Sequence, residues 1–477
     1  MLWSCLHFPD LSLQRLTRAA RPVVPTVIRN GSNRPHVLSC DALARSAGVS
    51  AGMSLSAAIA LCPQLHAHLR DAATERRALE HIAGWSGQFT PMVSVCLPDA
   101  VLLEIASSVA LFGGLRALQL RMSEGLAELG YAAAIATAPT PGAAQLLARA
   151  GMSIAVTDPT RLADALRELP LTLLDQSKDT IEALGLIGVH TLGACLDLPR
   201  DGVARRFGQD LLDELDRALG RLPDPRAPHQ PPTHYRARLP LPAPVYETEP
   251  LLFAAQRLIA EMSGHLRTKG SGLTRLKLTL HHEDRPPTSV HIGFSNPTRD
   301  PQRIARLLRE RLARVELPER VEAIQFDSEE SRPLAPHNLS LFPEDMLPEE
   351  ERWSIVDHLR ARLGTEAVYG IACRADHRPE QAYRACEPGS VEAGSGCARR
   401  PLWLLDPPRR LREQEDHPQL EGPLTLHGGP ERIEGGWWDG ADVTRDYFVA
   451  SDSRGRQLWI YRERQGQRGW YLQGLFG

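Results

Sequence analysis

Two features of the sequence are suited to holding phosphate. The run Leu184-Gly185-Leu186-Ile187-Gly188-Val189 sets two glycines three residues apart within a helical stretch, a spacing that turns the chain tightly between short helices. A helix–hairpin–helix of this kind aims backbone N–H groups at phosphate oxygens, as a helix N-terminus does. An ordinary αα turn uses the same glycines. Further on, Ile304, Leu307, Leu308 and Leu312 share one helical stripe, while Arg303, Arg306, Arg309, Arg311 and Arg314 crowd the other positions with only Glu310 against them. Such a helix carries either a solvated charged surface or a face that tracks phosphates. A third feature is Asn338-Leu339-Ser340-Leu341-Phe342, in a stretch rich in Pro and acids. Held extended, it can put Leu341 and Phe342 into an apolar pocket while the leading amide hydrogen-bonds at the rim. In the tail, Trp437, Trp438, Trp459 and Trp470 are either rings filling the core of a small sheet or a binding surface.

The elements that position these groups are legible as periodicity. Short apolar runs (2–8, 93–97, 100–105, 132–137) alternate with Ala/Leu-rich helical stretches (10–20, 115–129, 142–150), the pattern of an α/β or α+β sheet domain. Residues 171–219 read as purely helical, and the proline density of 222–250 reads as a linker. A β–α unit follows: helix 251–266, strands 273–281 and 289–294, helix 301–315, strand 321–326. Residues 331–351 form a second Pro-rich loop, and from residue 402 the chain is β-rich.

At 477 residues the chain has room for about three domains, and 42% hydrophobic with 24% charged residues is a globular balance. A net charge of −3 excludes a uniformly basic nucleic-acid coat protein but not a local basic face. No stretch has the ~20 apolar residues of a membrane helix, and the start lacks the basic segment of a secretory signal. Eight scattered cysteines without a C-x-x-C pair point to a reduced, cytoplasmic compartment. Lys178, Lys269 and Lys277 are the only lysines, so no ammonium group precedes residue 178.

Several runs resemble the Y-family (DinB/UmuC-like) translesion DNA polymerases. They are Leu6-His7-Phe8-Pro9-Asp10; Ala44-Arg45-Ser46-Ala47-Gly48-Val49-Ser50-Ala51-Gly52-Met53 with Ala60-Leu61-Cys62-Pro63-Gln64-Leu65; Leu111-Phe112-Gly113-Gly114; and the strand–turn–helix 134–150. The resemblance covers about the first 330 residues. It implies a palm and fingers over 1–170, a helix–hairpin–helix thumb over 171–222, a linker at 223–250 and a little finger over 251–330. A clamp-binding linker at 331–351, a small α/β stretch at 352–400 and a β-rich partner-binding region at 401–477 complete the expected layout.

Active members of that family bridge two Mg²⁺ ions about 3.5–4 Å apart with carboxylates. They place an Asp at the end of the first strand and an Asp-Glu pair in a later hairpin. With Asp10 in register, Phe8 stands at the first of these positions. At the hairpin, Leu97-Pro98-Asp99-Ala100 puts Pro98 in place of the bridging Asp and leaves Asp99 alone. Arg45 matches the family arginine on the incoming triphosphate, but Ala42 replaces its partner tyrosine. The expectation is a polymerase shape without catalytic residues, metal or cofactor. The alternative is an active lesion-bypass polymerase with ligands relocated to Asp10, Asp99 and Glu104.

The tail runs 436–440, 445–450 and 470–476, with 366–370 and Arg378-Pro379-Glu380, are similar to an inactive branch of the family carried in bacterial mutasome cassettes. That similarity implies a scaffold for damage-induced (SOS) mutagenesis. Its partners would be damaged or primer-template DNA, the sliding clamp, an error-prone C-family DNA polymerase and a RecA-like protein, and on DNA it would be nucleoid-associated. Asn338 to Phe342 resembles the bacterial clamp-binding pentapeptide with Asn for Gln, whereas 473–476 reads as a strand end. For DNA, the candidates are Gly185, Gly188, Arg267, Lys269, Arg275, Lys277, Arg303 and Arg306. For protein partners they are Trp437, Trp438, Trp459 and Trp470, with a DNA-binding tail as a further possibility.

Overall fold

The computed structural model describes residues 1–19, 24–334, 349–388 and 400–476. The chain forms two compact units, 1–358 and 359–477. The first begins with β1 (Trp3–His7), buried along its whole length, and α1 (Leu11–Thr17). The chain then leaves to build β2 (Thr26–Arg29), β3 (Val37–Cys40), α2 (Ala42–Ser46), α3 (Leu55–Leu61) and β4 (His66–Leu69). These make a small sheet ordered β3-β2-β4 with its own core of Val27, Val37, Ala44, Val49 and Ala58. Gly48 closes α2 with a φ of 87°, a conformation that costs glycine little, and so lets Val49 turn back into that core.

The chain returns through α4 (Ala72–Ser86), β5 (Val93–Cys96), β6 (Ala100–Glu104), α5 (Leu115–Leu129), β7 (Ala134–Ala138) and α6 (Pro141–Arg149). The main sheet is ordered β5-β6-β1-β7, with β1 antiparallel to both neighbours. Because it is covered on both faces, its strands are mostly apolar, with Ser4 hydrogen-bonded to Thr137 across β1 and β7. Leu6, Val101 and Leu103 pack with α4 and α5, whereas Cys5, Ala100 and Leu102 pack with α6 and the helices that follow. Those helices are α7 (Leu162–Arg167), α8 (Lys178–Leu186), α9 (Leu192–Leu196), α10 (Arg200–Phe207) and α11 (Gln209–Ala218).

A second four-stranded sheet, ordered β10-β9-β11-β8, is built from β8 (Arg236–Val245), α12 (Thr248–Thr268), β9 (Ser271–His282), β10 (Thr288–Thr298), α13 (Pro301–Leu312) and β11 (Val321–Pro333). Strand β8 corrects the reading of 223–250 as a linker. Its prolines at 240, 242 and 244 are tolerated because β8 is an edge strand, where outward N–H groups need no partner. Helix α14 (Glu349–Leu363) closes this unit, with Asp357 and His358 against α13.

In the second unit, β12 (Gly370–Cys373) and β13 (Tyr383–Cys386) form a hairpin. The strands β14 (Trp403–Arg410), β15 (Arg412–Gln414), β16 (His417–Gln419), β17 (Thr425–Gly435), β18 (Val443–Ser451), β19 (Gln457–Glu463) and β20 (Gly469–Leu475) follow. Five of them form an antiparallel sheet ordered β14-β20-β19-β18-β17. Leu458, Ile460, Trp470 and Leu472 pack together, as do Ile433, Tyr447, Trp459 and Tyr461. Among the described residues no helix is long and apolar enough to cross a membrane.

Candidate functional site

The end of β1 and the β5–β6 turn meet where the metal positions are expected, since the Phe8 N–H donates to the Asp99 carbonyl at 2.8 Å. Phe8, however, does not face that point. Strand alternation carries its ring into the core beside Leu6 and edge-on to Tyr131, fully buried. The residue that β1 presents to Asp99 is His7, whose Nε2 lies 3.5 Å from Asp99 Oδ2. Pro98 contributes no oxygen donor from its side chain. Asp99 Oδ1 and His7 Nδ1 are both sealed from water without a partner.

The other two acids are elsewhere. Glu104 sits at the far end of β6, where its Oε1 accepts the N–H groups of Leu2 at 3.1 Å and Ala106 at 3.3 Å. It lies five residue steps along the chain from Asp99, ~17 Å at ~3.3 Å per residue, so the two cannot bridge ions ~4 Å apart. Asp10 precedes α1, its carbonyl accepting the N–H of Leu13 and Gln14 while its side chain caps nothing. One carboxylate, one imidazole and one proline do not fit a magnesium pair, which needs several hard oxygen donors. The nearby thiols of Cys5 and Cys96 are pushed up by burial, the reverse of an activated nucleophile. Arg45 stands exposed on α2, and Ala42, at the start of that helix, is exposed too.

The glycine hairpin closes α8 on itself. Ile187 and Val189 donate to the Leu184 carbonyl, and Gly188, at φ 80°, donates to Gly185. These three N–H groups are therefore spent inside the turn, contrary to the expectation that they face a phosphate. What the turn offers outward is apolar, with Leu186 89% exposed.

The basic candidates separate onto different surfaces. Arg275 and Lys277 alternate with buried Leu276 and Leu278, so they stand on the sheet face away from α12 and α13. Arg267 and Lys269 are exposed at the end of α12, with Arg267 Nη1 3.2 Å from Gln88 Oε1. On α13, Arg306 is exposed, whereas Arg303 is buried and ion-paired with Asp357 of α14, which removes it from any DNA surface. The arginine helix and the open sheet face are thus not one continuous site. Sequence reading missed Arg236 and Arg238 beside them. The alternation Tyr235-Arg236-Ala237-Arg238-Leu239 marks a half-buried strand, but the following prolines obscured it.

Asn338 to Phe342 lies outside the described residues. In the tail, the four tryptophans divide: Trp459 and Trp470 are core rings, whereas Trp437 and Trp438 are 79% and 57% exposed in the loop after β17 and touch edge-to-face at 5.5 Å. Two runs distant in sequence meet there. Arg378, just before β13, is buried with its guanidinium 2.8 Å from Asp376, 2.6 Å from Asp439 and 5.4 Å from the centre of the Trp438 ring. Nearby, Glu380 accepts from Arg445 and Gln473, and the Tyr447 hydroxyl donates to Gln473. Gln473 itself is buried within β20, a strand end as expected.

The first unit is thus mixed α/β, and the region after it is β-rich. Residues 12–149 match the impB/mucB/samB family model, so this stretch is similar to the Y-family polymerases. Solved structures that resemble it include an insertion ternary complex of Dbh DNA polymerase (18% identity, 69% of this chain and 98% of that one, TM-score 0.41) and DinB from Sulfolobus solfataricus (18%, 70% and 100%, TM-score 0.39). More particularly, the chain as a whole is similar to ImuB. It is 29% identical over 461 residues, 90% of this chain and 100% of the relative, to Protein ImuB of Caulobacter vibrioides, in strain NA1000 / CB15N and in strain ATCC 19089 / CIP 103742 / CB 15 alike.

Proposed function

We propose that this protein is a non-catalytic, polymerase-shaped scaffold in damage-induced translesion synthesis and mutagenesis. The observation that carries the reading is the donor set at the end of β1, where a lone carboxylate, Asp99, faces His7 instead of a second acid. Losing even one preorganised charge-stabilising group costs ~10²–10³ in rate, and here two bridging carboxylates are replaced. The relocated-ligand alternative is disfavoured by the separation of Asp99 from Glu104.

In this reading the chain works by holding partners. DNA is met by Arg275 and Lys277 on the open sheet face, with Arg267 and Lys269 at the end of α12 and Arg306 on α13 as separate contacts. The sliding clamp is met by Asn338 to Phe342. Trp437 and Trp438 serve an error-prone C-family polymerase and the RecA-like ImuA. Weak sites on one chain raise each other's effective concentration, so modest contacts suffice. No cofactor is required, and the protein acts in the cytoplasm at the nucleoid.

Primer extension by the full chain on a gapped template, with Mg²⁺ or Mn²⁺, tests the central point. The expected result is no extension above background. Extension that disappears in Asp99→Ala would establish an enzyme and end the scaffold reading.

A further inference from the structure

Away from the end of β1, helices α1 and α4 and strand β8 enclose a pocket of about 490 Å³, within the range of small-ligand sites. Among the described residues its lining includes five arginines, Arg15, Arg18, Arg77, Arg236 and Arg238, and no carboxylate. The acids closest to it are committed elsewhere. Glu261 holds Arg18 at 2.7 Å, Glu75 holds Arg70 at 2.9 Å, Asp327 holds Arg236, and Asp71 caps α4 through Thr74.

Three guanidinium groups are left over. Among the described residues, Arg77 reaches the Thr74 hydroxyl alone, at 2.8 Å. Arg238 stands on the open side of β8, and Arg15 has its Nε sealed from water with no partner. Burial pulls Arg15 below the usual arginine range, more strongly than the more distant Asp71 and Glu75 carboxylates hold it up, and Arg77 adds to the lowering. A concave site with three uncommitted planar forks is complementary to an anion that offers many oxygens in a short span. Leu239 and Pro240 add an apolar wall. The pocket is open to solvent where Arg77 and Arg238 stand exposed, and its size suits a small molecule.

We propose that this pocket binds a nucleoside di- or triphosphate, with Arg15, Arg77 and Arg238 on its phosphates. Because Arg15 and Arg77 belong to α1 and α4 and Arg238 to β8, the ligand ties the main sheet's helices to the second sheet. The proposal is independent of the scaffold reading and of the end of β1.

The test is calorimetric titration of the full chain with ATP and, separately, with inorganic tripolyphosphate, each repeated with a single-stranded oligonucleotide as competitor. The expected result is saturable binding of one ATP per chain, displaced by tripolyphosphate. Arg77→Gln with Arg238→Gln should weaken it at least about tenfold, since each removes a charge-assisted hydrogen bond to phosphate, while the surface control Arg116→Gln leaves it unchanged. Both substituted arginines are exposed, so melting without ligand should not move. If the double variant does melt early, Arg238→Gln alone carries the same expectation. Absence of saturable ATP and tripolyphosphate binding, binding unaltered in the variants, or occupancy by the oligonucleotide alone would each overturn the proposal.

Discussion

Arg18 Nη1 lies 2.7 Å from Glu261 Oε2, and this pair, with side chains only 5% and 1% exposed, joins α1 to α12. Further groups flank the pair on both sides, although Arg18 Nε is sealed from water without a partner among the described residues. The Tyr235 hydroxyl donates to Glu261 Oε1 at 3.0 Å, His81 Nδ1 is 2.9 Å from the same oxygen, and Arg18 stacks over the Tyr131 ring. A buried pair so placed fixes how the second sheet seats on the helices of the first, whereas either charge left alone there is heavily penalised.

Glu261→Ala and Arg18→Met should therefore each lower unfolding free energy by ~3–5 kcal/mol, and the double variant by less than the sum. Urea denaturation reads this directly. Burial alone raises the Glu261 carboxyl, but Arg18 and His81 outweigh it and hold the group well below its usual 4.5. With the folded value depressed, the pair's contribution is fully present above about pH 4.5 and is lost as the pH falls further. A stability curve that is flat through this range would contradict the assignment.

A second titration acts at higher pH. His265, buried on α12, is brought down to about 4, first by burial and then by Lys269, and its Nε2 has no partner. It is neutral in the fold and charged when unfolded in mild acid. Stability should be complete above about pH 6.5 and fall between there and about pH 4 by about 3 kcal/mol. His265→Leu should flatten that interval, as measured by unfolding midpoints across pH.

At the end of β1, two substitutions separate the residue that faces Asp99 from the one that faces the core. Phe8→Asp places a carboxylate among Leu6, Leu79 and Tyr131 and should destabilise by more than ~4 kcal/mol, with no response to Mn²⁺. His7→Asp sets a second acid beside Asp99. It should fold with a lower melting temperature that Mn²⁺ restores, as paired carboxylates acquire a cation. The reverse outcome would show that the strand is read in the wrong phase.

That phase illustrates what the sequence disclosed. Alternation along β1 and the apolar runs of β5, β6 and β7 were legible, because a sheet covered on both faces needs continuous hydrophobicity. Matching on Asp10 then set the metal position one residue late, since similarity of letters does not say which side of a strand a side chain takes. The helix stripe Ile304, Leu307, Leu308 and Leu312 was visible. That Arg303 turns inward was not, because its partner Asp357 is 54 residues away. The link from Arg378 to Asp439 spans 61 residues and was equally hidden. Period and composition report local structure, while these pairings depend on the packing of distant elements.

Arg303 and the sheet-face residues should accordingly differ in DNA binding. Arg275→Ala with Lys277→Ala leaves phosphates unneutralised and should reduce the slope of log K against log salt by ~0.9 per phosphate on a duplex. Arg303→Met instead breaks a buried ion pair. It should destabilise by ~3–5 kcal/mol and leave the slope untouched at temperatures where the variant is folded. Fluorescence anisotropy over a salt series distinguishes the two.

In the tail, the exposed tryptophans and the buried arginine beneath them should also separate. Trp437 is 79% exposed, so Trp437→Ala should change stability by no more than ~0.5 kcal/mol. If the loop serves partners, that same variant weakens capture of purified ImuA or C-family polymerase, because large exposed rings dominate interface energies. Arg378→Ala removes a guanidinium shared by Asp376 and Asp439 and stacked on Trp438, leaving the nearly sealed Asp376 carboxylate unpaired. It should cost ~3–5 kcal/mol and shift the Trp438 emission as its ring loses its support. Partner capture that survives Trp437→Ala and Trp438→Ala together but fails in Arg378→Ala would assign the pair of rings to folding and move the interface elsewhere on the β-rich unit.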